Sequence, residues 1–399
     1  MLRFLCIACF PFFLQAQTRD TLAAFRPDST FFVRTKGALA YLNYGVGEDR
    51  LGGAKMGYVD SLVLLKVTAK YKDLYRVRLT DQLSAWIPQT LTKRDTNVRL
   101  PSVQYLTASW RVSGDNRQDY VSIPLPERLP YRSRQEINPA RIVVDIFGVT
   151  ANTNWITQLR TAREIKNIDY EQVADEQFRI IISLCHAQHW GYAIGYEGRR
   201  LVIRVTHQPE KLRLRDLTIA VDAGHGGSNL GARGLRSKQY EKDFNLSIAR
   251  HLQKELERKG ATVLMTRNND SLINNTDRVL SLRKLKPDLL ISIHNNAAGD
   301  TTKTKGTSTY YKHLGYRPLS QAILERLLEM GLTEYGNVGR FNFALNSPTE
   351  YPNVLVEGLF LSHPDDEALI LEDAYRKKMA KQIRKGVADW LKQVRKQRS

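Results

Sequence analysis

Residues 217–227 read Leu-Thr-Ile-Ala-Val-Asp-Ala-Gly-His-Gly-Gly, an apolar run followed by a glycine-rich turn that contains His225. The apolar run predicts a buried strand, and the glycines let the backbone turn tightly beside the histidine. Two further apolar runs, LLISIH and VLVE, end on His294 and Glu357. In an open α/β sheet, ligands collect at the carboxyl ends of the strands. We therefore predict that these three side chains belong to one site.

The sequence around these runs alternates between strand and helix patterns. From residue 211 onward, apolar runs of strand length are separated by segments with helical periodicity. This alternation predicts an α/β fold, with a mostly parallel twisted sheet flanked by helices. The predicted helices are 243–259, 319–330 and about 374–394.

A fourth polar residue, Glu241, lies on the apolar face of the first predicted helix. It stands three residues before Phe244 and seven before Ile248, which belong to the apolar stripe. A carboxylate on a buried face is costly unless it is paired or binds a metal. Alternatively, the helix begins at Asp243 and Glu241 only interacts with its positive end.

Together, His225, Glu241 and His294 offer three ligands to a zinc ion. Such a set leaves a fourth position open for water, as catalytic zinc sites require. The remaining carboxylate, Glu357, is then the candidate to take a proton from the attacking water. Because the intervals between these residues are long, their spacing alone leaves a structural role for each of them open.

The N-terminus has the pattern of a secretory signal peptide. One arginine is followed by an almost wholly apolar stretch over 4–14 and by a small residue, Ala16. We expect a signal peptide over 1–17 and therefore an exported protein. Cys6 and Cys9 would leave with it, so that Cys185 alone remains and the mature chain has no internal disulfide.

Two β-rich segments follow. Residues 18–98 contain short strands and glycine-rich loops that indicate a small β-barrel. The LYRVRL strand and the Ala-Trp-Ile-Pro tetrad at 85–88 resemble the bacterial Src-homology-like domains of cell-wall enzymes. Residues 99–210 contain RIVVDIFG and a terminal hairpin around 197–200, and resemble the β-sandwich AMIN domains found beside cell-wall amidases. The resemblance implies a localising role for the second segment.

The chain is strongly basic, which restricts its partners. It has 60 Lys and Arg against 41 Asp and Glu, a net charge of +19. This excess suggests attraction to an anionic nucleic acid, membrane surface or wall polymer. No nucleic-acid motif is present, and export argues against that partner. No apolar run reaches the roughly 18 residues of a membrane span, so we expect no transmembrane helix in the mature chain.

Residues 214–394 closely resemble the zinc-dependent N-acetylmuramoyl-L-alanine amidases of bacterial cell walls. The motifs that carry the resemblance occur in the order of that family: DAGHGG, GARG, EKDFNLSIA, TRNND, SIHNNA and VLVEGLFLS. By this resemblance His225, Glu241 and His294 match the zinc ligands and Glu357 the catalytic glutamate. Asn229 is a departure, because the family commonly has Asp there.

The resemblance implies a catalytic domain over 211–399 that binds one Zn²⁺ and hydrolyses the amide between N-acetylmuramic acid and L-alanine. Peptidoglycan is then the substrate, in wall remodelling or daughter-cell separation, and the place of action is the periplasm or cell envelope. Envelope regulator proteins stay open as further partners. Two alternatives also stay open: a zinc peptidase that cuts within the peptidoglycan stem, and a non-catalytic wall-binding activator.

Overall fold

The computed structural model describes residues 23–24, 30–47, 52–98 and 104–398. The predicted signal peptide over 1–17 lies outside these residues. The mixed α/β class is confirmed, since the described residues combine several β-sheets with five α-helices.

The N-terminal part of the chain forms one eight-stranded sheet. Its strands are β1 (Ala23–Ala24), β2 (Phe31–Thr35), β3 (Tyr41–Asn43), β4 (Lys55–Tyr58), β5 (Leu64–Tyr71), β6 (Leu74–Arg78), β7 (Ser84–Pro88) and β8 (Thr92–Asp95). Their order is β4-β3-β7-β6-β5-β2-β8, and β1 pairs with β5. Strand β4 lies in a glycine-rich stretch for which the sequence predicts a loop. The Src-homology-like assignment remains a prediction.

The next part of the chain forms two sheets whose strands pair mostly antiparallel and whose apolar side chains share a hydrophobic core. Their strands are β9 (Trp110–Gly114), β10 (Gln118–Pro124), β11 (Tyr131–Ile137), β12 (Ala140–Phe147), β13 (Ile156–Gln158), β14 (Ile165–Ala174), β15 (Gln177–Leu184), β16 (Tyr192–Glu197) and β17 (Arg200–Thr206). The orders are β13-β9-β10-β17-β16 and β11-β12-β15-β14. The predicted hairpin is present, because β16 and β17 pair antiparallel across the turn at 198–199.

The last part of the chain contains a six-stranded sheet in the order β19-β18-β20-β23-β21-β22. All its pairings are parallel except that of β21 with β23. Its strands are β18 (Thr218–Ala223), β19 (Thr262–Met265), β20 (Leu289–Asn296), β21 (Thr307–Tyr310), β22 (Glu334–Val338) and β23 (Asn353–Phe360). The helices are α1 (Glu241–Glu257), α2 (Asn275–Leu285), α3 (Arg317–Leu328), α4 (Pro364–Leu371) and α5 (Asp373–Lys396).

Two features of this sheet differ from the sequence expectation. His294 and Glu357 do not end their strands, because β20 and β23 continue for two and three residues beyond them. Helix α2 was not predicted, since only two of its apolar side chains, Val279 and Leu282, are buried.

Apolar side chains of α1, α3 and α5 cover the central strands and form one core with them. The amphipathic C-terminal helix buries Trp390, whose ring stacks on Trp190 at a centroid distance of 5.2 Å. This contact joins α5 to the segment just before β16. Among the described residues, no helix is both long and apolar enough to cross a bilayer.

Candidate metal centre

The structure brings His225, Glu241 and His294 together. One potential ligand atom from each lies within 4.8 Å of the other two, although the residues come from three different elements. The Nε2 atom of His225 and the Nδ1 atom of His294 each lie 3.1 Å from a different oxygen of Glu241. Two imidazole nitrogens and a carboxylate form a donor set suited to zinc.

Glu241 is the first residue of helix α1, and its side chain is buried. The alternative in which the helix begins at Asp243 is therefore wrong. The N-cap residue before it, Tyr240, has an extended backbone and makes no side-chain capping hydrogen bond. Glu241 thus points inward from the start of the helix, where a carboxylate is also favoured by the helix dipole.

The buried carboxylate of Glu241 is held by donors from several directions. One oxygen accepts hydrogen bonds from the main-chain N–H of Asn295 at 3.1 Å and from the Asn245 side chain at 3.0 Å, and the other from the main-chain N–H of Ala232 at 2.8 Å. Burial raises the pKa of this carboxyl, but the hydrogen bonds and charges of the two histidines outweigh burial and hold the pKa well below its usual range. The group is therefore an ionised carboxylate, the form in which a carboxyl group binds a metal.

His225 follows β18 in a left-handed backbone conformation, with φ of 62°. A histidine rarely adopts this conformation, which costs of order 1–3 kcal/mol and is found preferentially at functional sites. Its Nδ1–H donates to the Asn229 side-chain oxygen at 2.8 Å, which leaves Nε2 free to face Glu241. Burial lowers the pKa of His225, while the adjacent Glu241 carboxylate raises it, and the net effect is a raised pKa.

Two glycines make room for the three side chains. A Cβ atom on Gly224 would lie 2.3 Å from the ring of His294. A Cβ atom on Gly231 would lie 2.5 Å from a Glu241 carboxylate oxygen and 2.7 Å from the His225 ring. Real Cβ atoms do not come so close to other heavy atoms, so side chains at these two positions would displace the cluster.

A buried ion pair supports the loop that carries His225. The guanidinium of Arg278 on α2 lies 2.5 Å from the Asp222 carboxylate, and both side chains are almost fully buried. Arg278 also donates to the main-chain oxygens of Ala223 at 2.8 Å and His225 at 2.6 Å. Burial raises the pKa of Asp222, but the charge of Arg278, together with the hydrogen bonds from Ser292 and Thr266 and the charge of His294, outweighs burial, and the net effect is a lowered pKa.

A second buried arginine, Arg267, holds the same loop from the other side. It donates to the main-chain oxygens of Ala223 at 2.9 Å and Gly224 at 3.0 Å, and to that of Lys242 at 2.7 Å. Since Lys242 follows Glu241, this arginine connects the loop of one candidate ligand to the helix start that carries another. The loop geometry therefore depends on two cations rather than on glycine content alone.

Glu357 lies beside the cluster by strand register. It pairs directly with His294, and because β20 and β23 are parallel neighbours, the two side chains point to the same face of the sheet. Immediately after this pair the register shifts, so that Phe360 of β23 pairs with Asn296 of β20. Such an irregularity re-aims side chains near functional sites. The Glu357 side chain is 7% exposed.

Sequence reasoning identified the three clustered side chains and Glu357 but missed their supporting residues. Asn245 and Asn295 donate to Glu241, and both lie inside motifs that were assigned only by resemblance. Arg267 stands in the TRNND motif, whereas Arg278 lies outside every motif. Asp222 in DAGHGG was the one available signal, because a carboxylate at the end of a predicted buried strand requires a cationic partner.

Two separate ranges of the chain match known protein families. Residues 219–389 match the sequence model of the N-acetylmuramoyl-L-alanine amidase family, and residues 109–205 match that of the AMIN domain. The first range contains all four candidate site residues.

Individual proteins are also similar to this chain. A probable cell wall amidase, LytH of Staphylococcus aureus, is 33% identical over 198 residues, which cover 49% of this chain and 66% of that protein. The chain thus spans just under two thirds of the length of this relative.

Two solved structures are each 30% identical, with a TM-score of 0.42, over 44% of this chain. One is the catalytic domain of the amidase CwlV from Bacillus (Paenibacillus) polymyxa var. colistinus, 98% covered, and the other is an N-acetylmuramoyl-L-alanine amidase from Clostridium difficile 630, 97% covered. On the family matches, residues 219–389 of the chain are a domain of the N-acetylmuramoyl-L-alanine amidase family, and an AMIN domain over 109–205 precedes it.

Proposed function

We propose that this protein is a zinc-dependent N-acetylmuramoyl-L-alanine amidase that cleaves peptidoglycan. The observation that carries the proposal is the convergence of His225, Glu241 and His294, with Glu357 in register beside them, inside the range that matches the family. The substrate bond is the amide between the lactyl group of N-acetylmuramic acid and the L-alanine of the stem peptide.

The three clustered side chains fit a zinc ion. Their ligand atoms are already gathered, and the Glu241 carboxylate is buried and anionic, which would be costly for a group with no cationic partner. The second ring nitrogen of His225 is bound to Asn229, as is usual for metal-binding histidines. When bound, zinc would polarise the scissile carbonyl and bring the pKa of a water molecule from about 15.7 to about 7.

The roles of the side chains follow from their positions. His225, Glu241 and His294 would hold the ion, while Arg278 and Arg267 keep the His225 loop in place. Glu357 would accept a proton from the attacking water and pass it to the nitrogen of the leaving L-alanine. Its position on a central strand, next to His294, keeps the carboxylate at a constant place relative to the ligands.

The remaining parts of the chain fit action in the cell envelope. The AMIN domain and the cell wall amidase family both suggest an extracytoplasmic protein associated with the envelope. We propose that the chain is exported, acts in the periplasm or elsewhere in the envelope during wall remodelling or cell separation, and is attracted to anionic wall polymer by its charge of +19.

Replacement of Glu357 tests the assigned roles. Glu357→Gln keeps the size of the side chain and removes its basicity, so we expect zinc content to stay near one ion per chain and the rate of sacculus hydrolysis to fall at least 100-fold. Glu334→Gln makes the same change at an exposed position of the same sheet and should leave both values unchanged. Near-normal hydrolysis by Glu357→Gln would show that Glu357 is not the base.

A further inference from the structure

A cavity of about 200 Å³ lies away from the candidate metal centre, where the three parts of the chain meet. The N-terminal sheet lines it with 55–60, the AMIN domain with 131–133 and 194–195, and the amidase domain with 283, 312–313, 347 and 349–350. The cavity has room for an ion of several heavy atoms, since a water molecule needs only about 10–15 Å³.

Two lysines from different parts of the chain, Lys55 and Lys312, line this cavity. Both lysine residues are partly buried, and neither side chain is paired with a carboxylate among the described residues. The Lys55 ammonium lies 4.5 Å and 5.0 Å from the ring centres of Tyr41 and Tyr58, and Lys312 donates to the Asn342 side chain at 3.2 Å. Burial and, to a smaller extent, the charge of Lys55 together lower the pKa of Lys312 to about 7.

The acidic and basic groups around the two lysines already have partners. Arg283 pairs with Glu350 at 2.6 Å, and Arg132 pairs with Asp145 at 2.9 Å. Each oxygen of Asp60 accepts a main-chain N–H, from Ser61 at 2.7 Å or Tyr196 at 2.6 Å.

The histidine that lines the cavity, His313, donates to the Ser347 main-chain oxygen at 3.0 Å, and burial lowers its pKa to about 4, so it is neutral. Among the described residues, Lys55 and Lys312 are therefore the cavity-lining cations without a carboxylate partner, and a bound anion would favour the protonated form of both.

We propose that this cavity binds a tetrahedral oxyanion with two negative charges, of the sulfate or phosphate type, between Lys55 and Lys312. Two ammonium groups act as point charges and suit such an anion, and the anion would remove their mutual repulsion. Because the cavity walls come from three parts of the chain, the bound anion would also hold the N-terminal sheet and the AMIN domain against the amidase domain.

Calorimetric titration of the full chain with sulfate, at pH 7.5 and constant ionic strength, tests the proposal. We expect one saturable site per chain, binding at least tenfold weaker in Lys55→Gln and in Lys312→Gln, and unchanged binding in Lys381→Gln, which removes the same charge from an exposed position on α5. No saturable binding by the wild type, or equal binding by Lys312→Gln and Lys381→Gln, would overturn it.

A second measurement on the wild type does not depend on the variants folding. Sulfate keeps its charge near neutral pH, so its binding should make Lys312 take up a fraction of a proton, seen as a binding heat that changes with the ionisation enthalpy of the buffer. Sulfate binding without proton uptake would show that the anion does not bind beside Lys312, and would overturn the proposal. A comparison of glycerol 3-phosphate with inorganic phosphate shows which kind of anion the cavity prefers. Tighter binding of glycerol 3-phosphate indicates that the natural ligand is a phosphomonoester, and equal or weaker binding indicates that it is the free ion.

Discussion

Arg278 donates a hydrogen bond of 2.6 Å to the main-chain oxygen of His225, from a helix that follows His225 by fifty residues. The same guanidinium neutralises Asp222, which is fully buried at the end of β18. His225 has a left-handed backbone conformation, and Arg278 donates to its main-chain oxygen and to that of Ala223 in the same loop. The arginine thus ties the position of a candidate metal ligand to the folding of α2.

Replacing Arg278 should destabilise the protein and weaken metal binding. Arg278→Met leaves Asp222 as an unpaired buried carboxylate, which typically costs about 3–5 kcal/mol. We expect this loss in the free energy of urea unfolding, and about 10–100-fold weaker zinc binding, because supporting contacts of ligands have effects of that size.

Arg317→Met is the matched control for this change. Arg317 is exposed at the start of α3, so its replacement should change the free energy of unfolding by no more than about 0.5 kcal/mol. Equal stability of the two variants would show that the buried pair does not hold the loop.

Alanine substitutions at Gly231 and Gly331 separate the effect of steric crowding at the metal centre from that of backbone strain. Both have a positive φ, of 68° and 82°, but only at Gly231 would a Cβ atom meet Glu241 and His225, while at Gly331 nothing lies within 4 Å. Gly331→Ala should cost about 1–2 kcal/mol of stability and leave zinc affinity unchanged. Gly231→Ala should lower zinc affinity as well, measured by competition with a chromogenic chelator. Equal zinc affinities would contradict the tight packing around Glu241.

Glu241→Gln should abolish tight metal binding. The substitution keeps the shape but removes the anion that faces both histidines, and we expect zinc affinity to fall at least about 100-fold, more than for changes to supporting residues. Elemental analysis after dialysis measures the loss. Glu257→Gln, at the exposed end of the same helix, is the control and should retain one zinc ion per chain. A full zinc content in Glu241→Gln would remove this residue from the ligand set.

The stability of the protein should rise with pH above neutrality because of Lys312. Its pKa is lowered to about 7 in the folded protein, against about 10.4 in the unfolded chain. Between these values the unfolded chain binds more protons, so the free energy of unfolding increases with pH. In chloride buffers, we expect the wild type to gain about 2 kcal/mol relative to Lys312→Gln from pH 7 to pH 9. Parallel pH profiles in urea unfolding would contradict this.

The candidate ligands could be predicted from the sequence because each stands next to a strong local pattern. His225 and His294 follow apolar strands, and the stripe of Phe244 and Ile248 placed Glu241 on the inward face of α1. Buried parallel strands produce continuous apolar runs, which single-sequence reasoning detects well. Their ends were less predictable, because β20 and β23 continue through polar residues whose hydrogen bonds are made within the protein.

The supporting residues could not be predicted, since their roles depend on contacts between distant segments. Arg278 lies on a helix with only a narrow buried face, and nothing in its neighbourhood indicates that it meets Asp222, 56 residues earlier. The cavity around Lys55 and Lys312 likewise exists only where separate parts of the folded chain meet. Periodicity and motifs report on local structure, whereas these pairs require the tertiary arrangement.

Product analysis of purified sacculi tests the proposed activity most directly. The zinc-loaded full chain should release free stem peptides that begin with L-alanine and leave glycan strands without peptides, as identified by mass spectrometry, and the Glu357→Gln variant should release neither. Stem fragments cut at an internal peptide bond would indicate a peptidase instead. Sacculi left intact by a fully zinc-loaded wild type would indicate a wall-binding protein and contradict the amidase assignment.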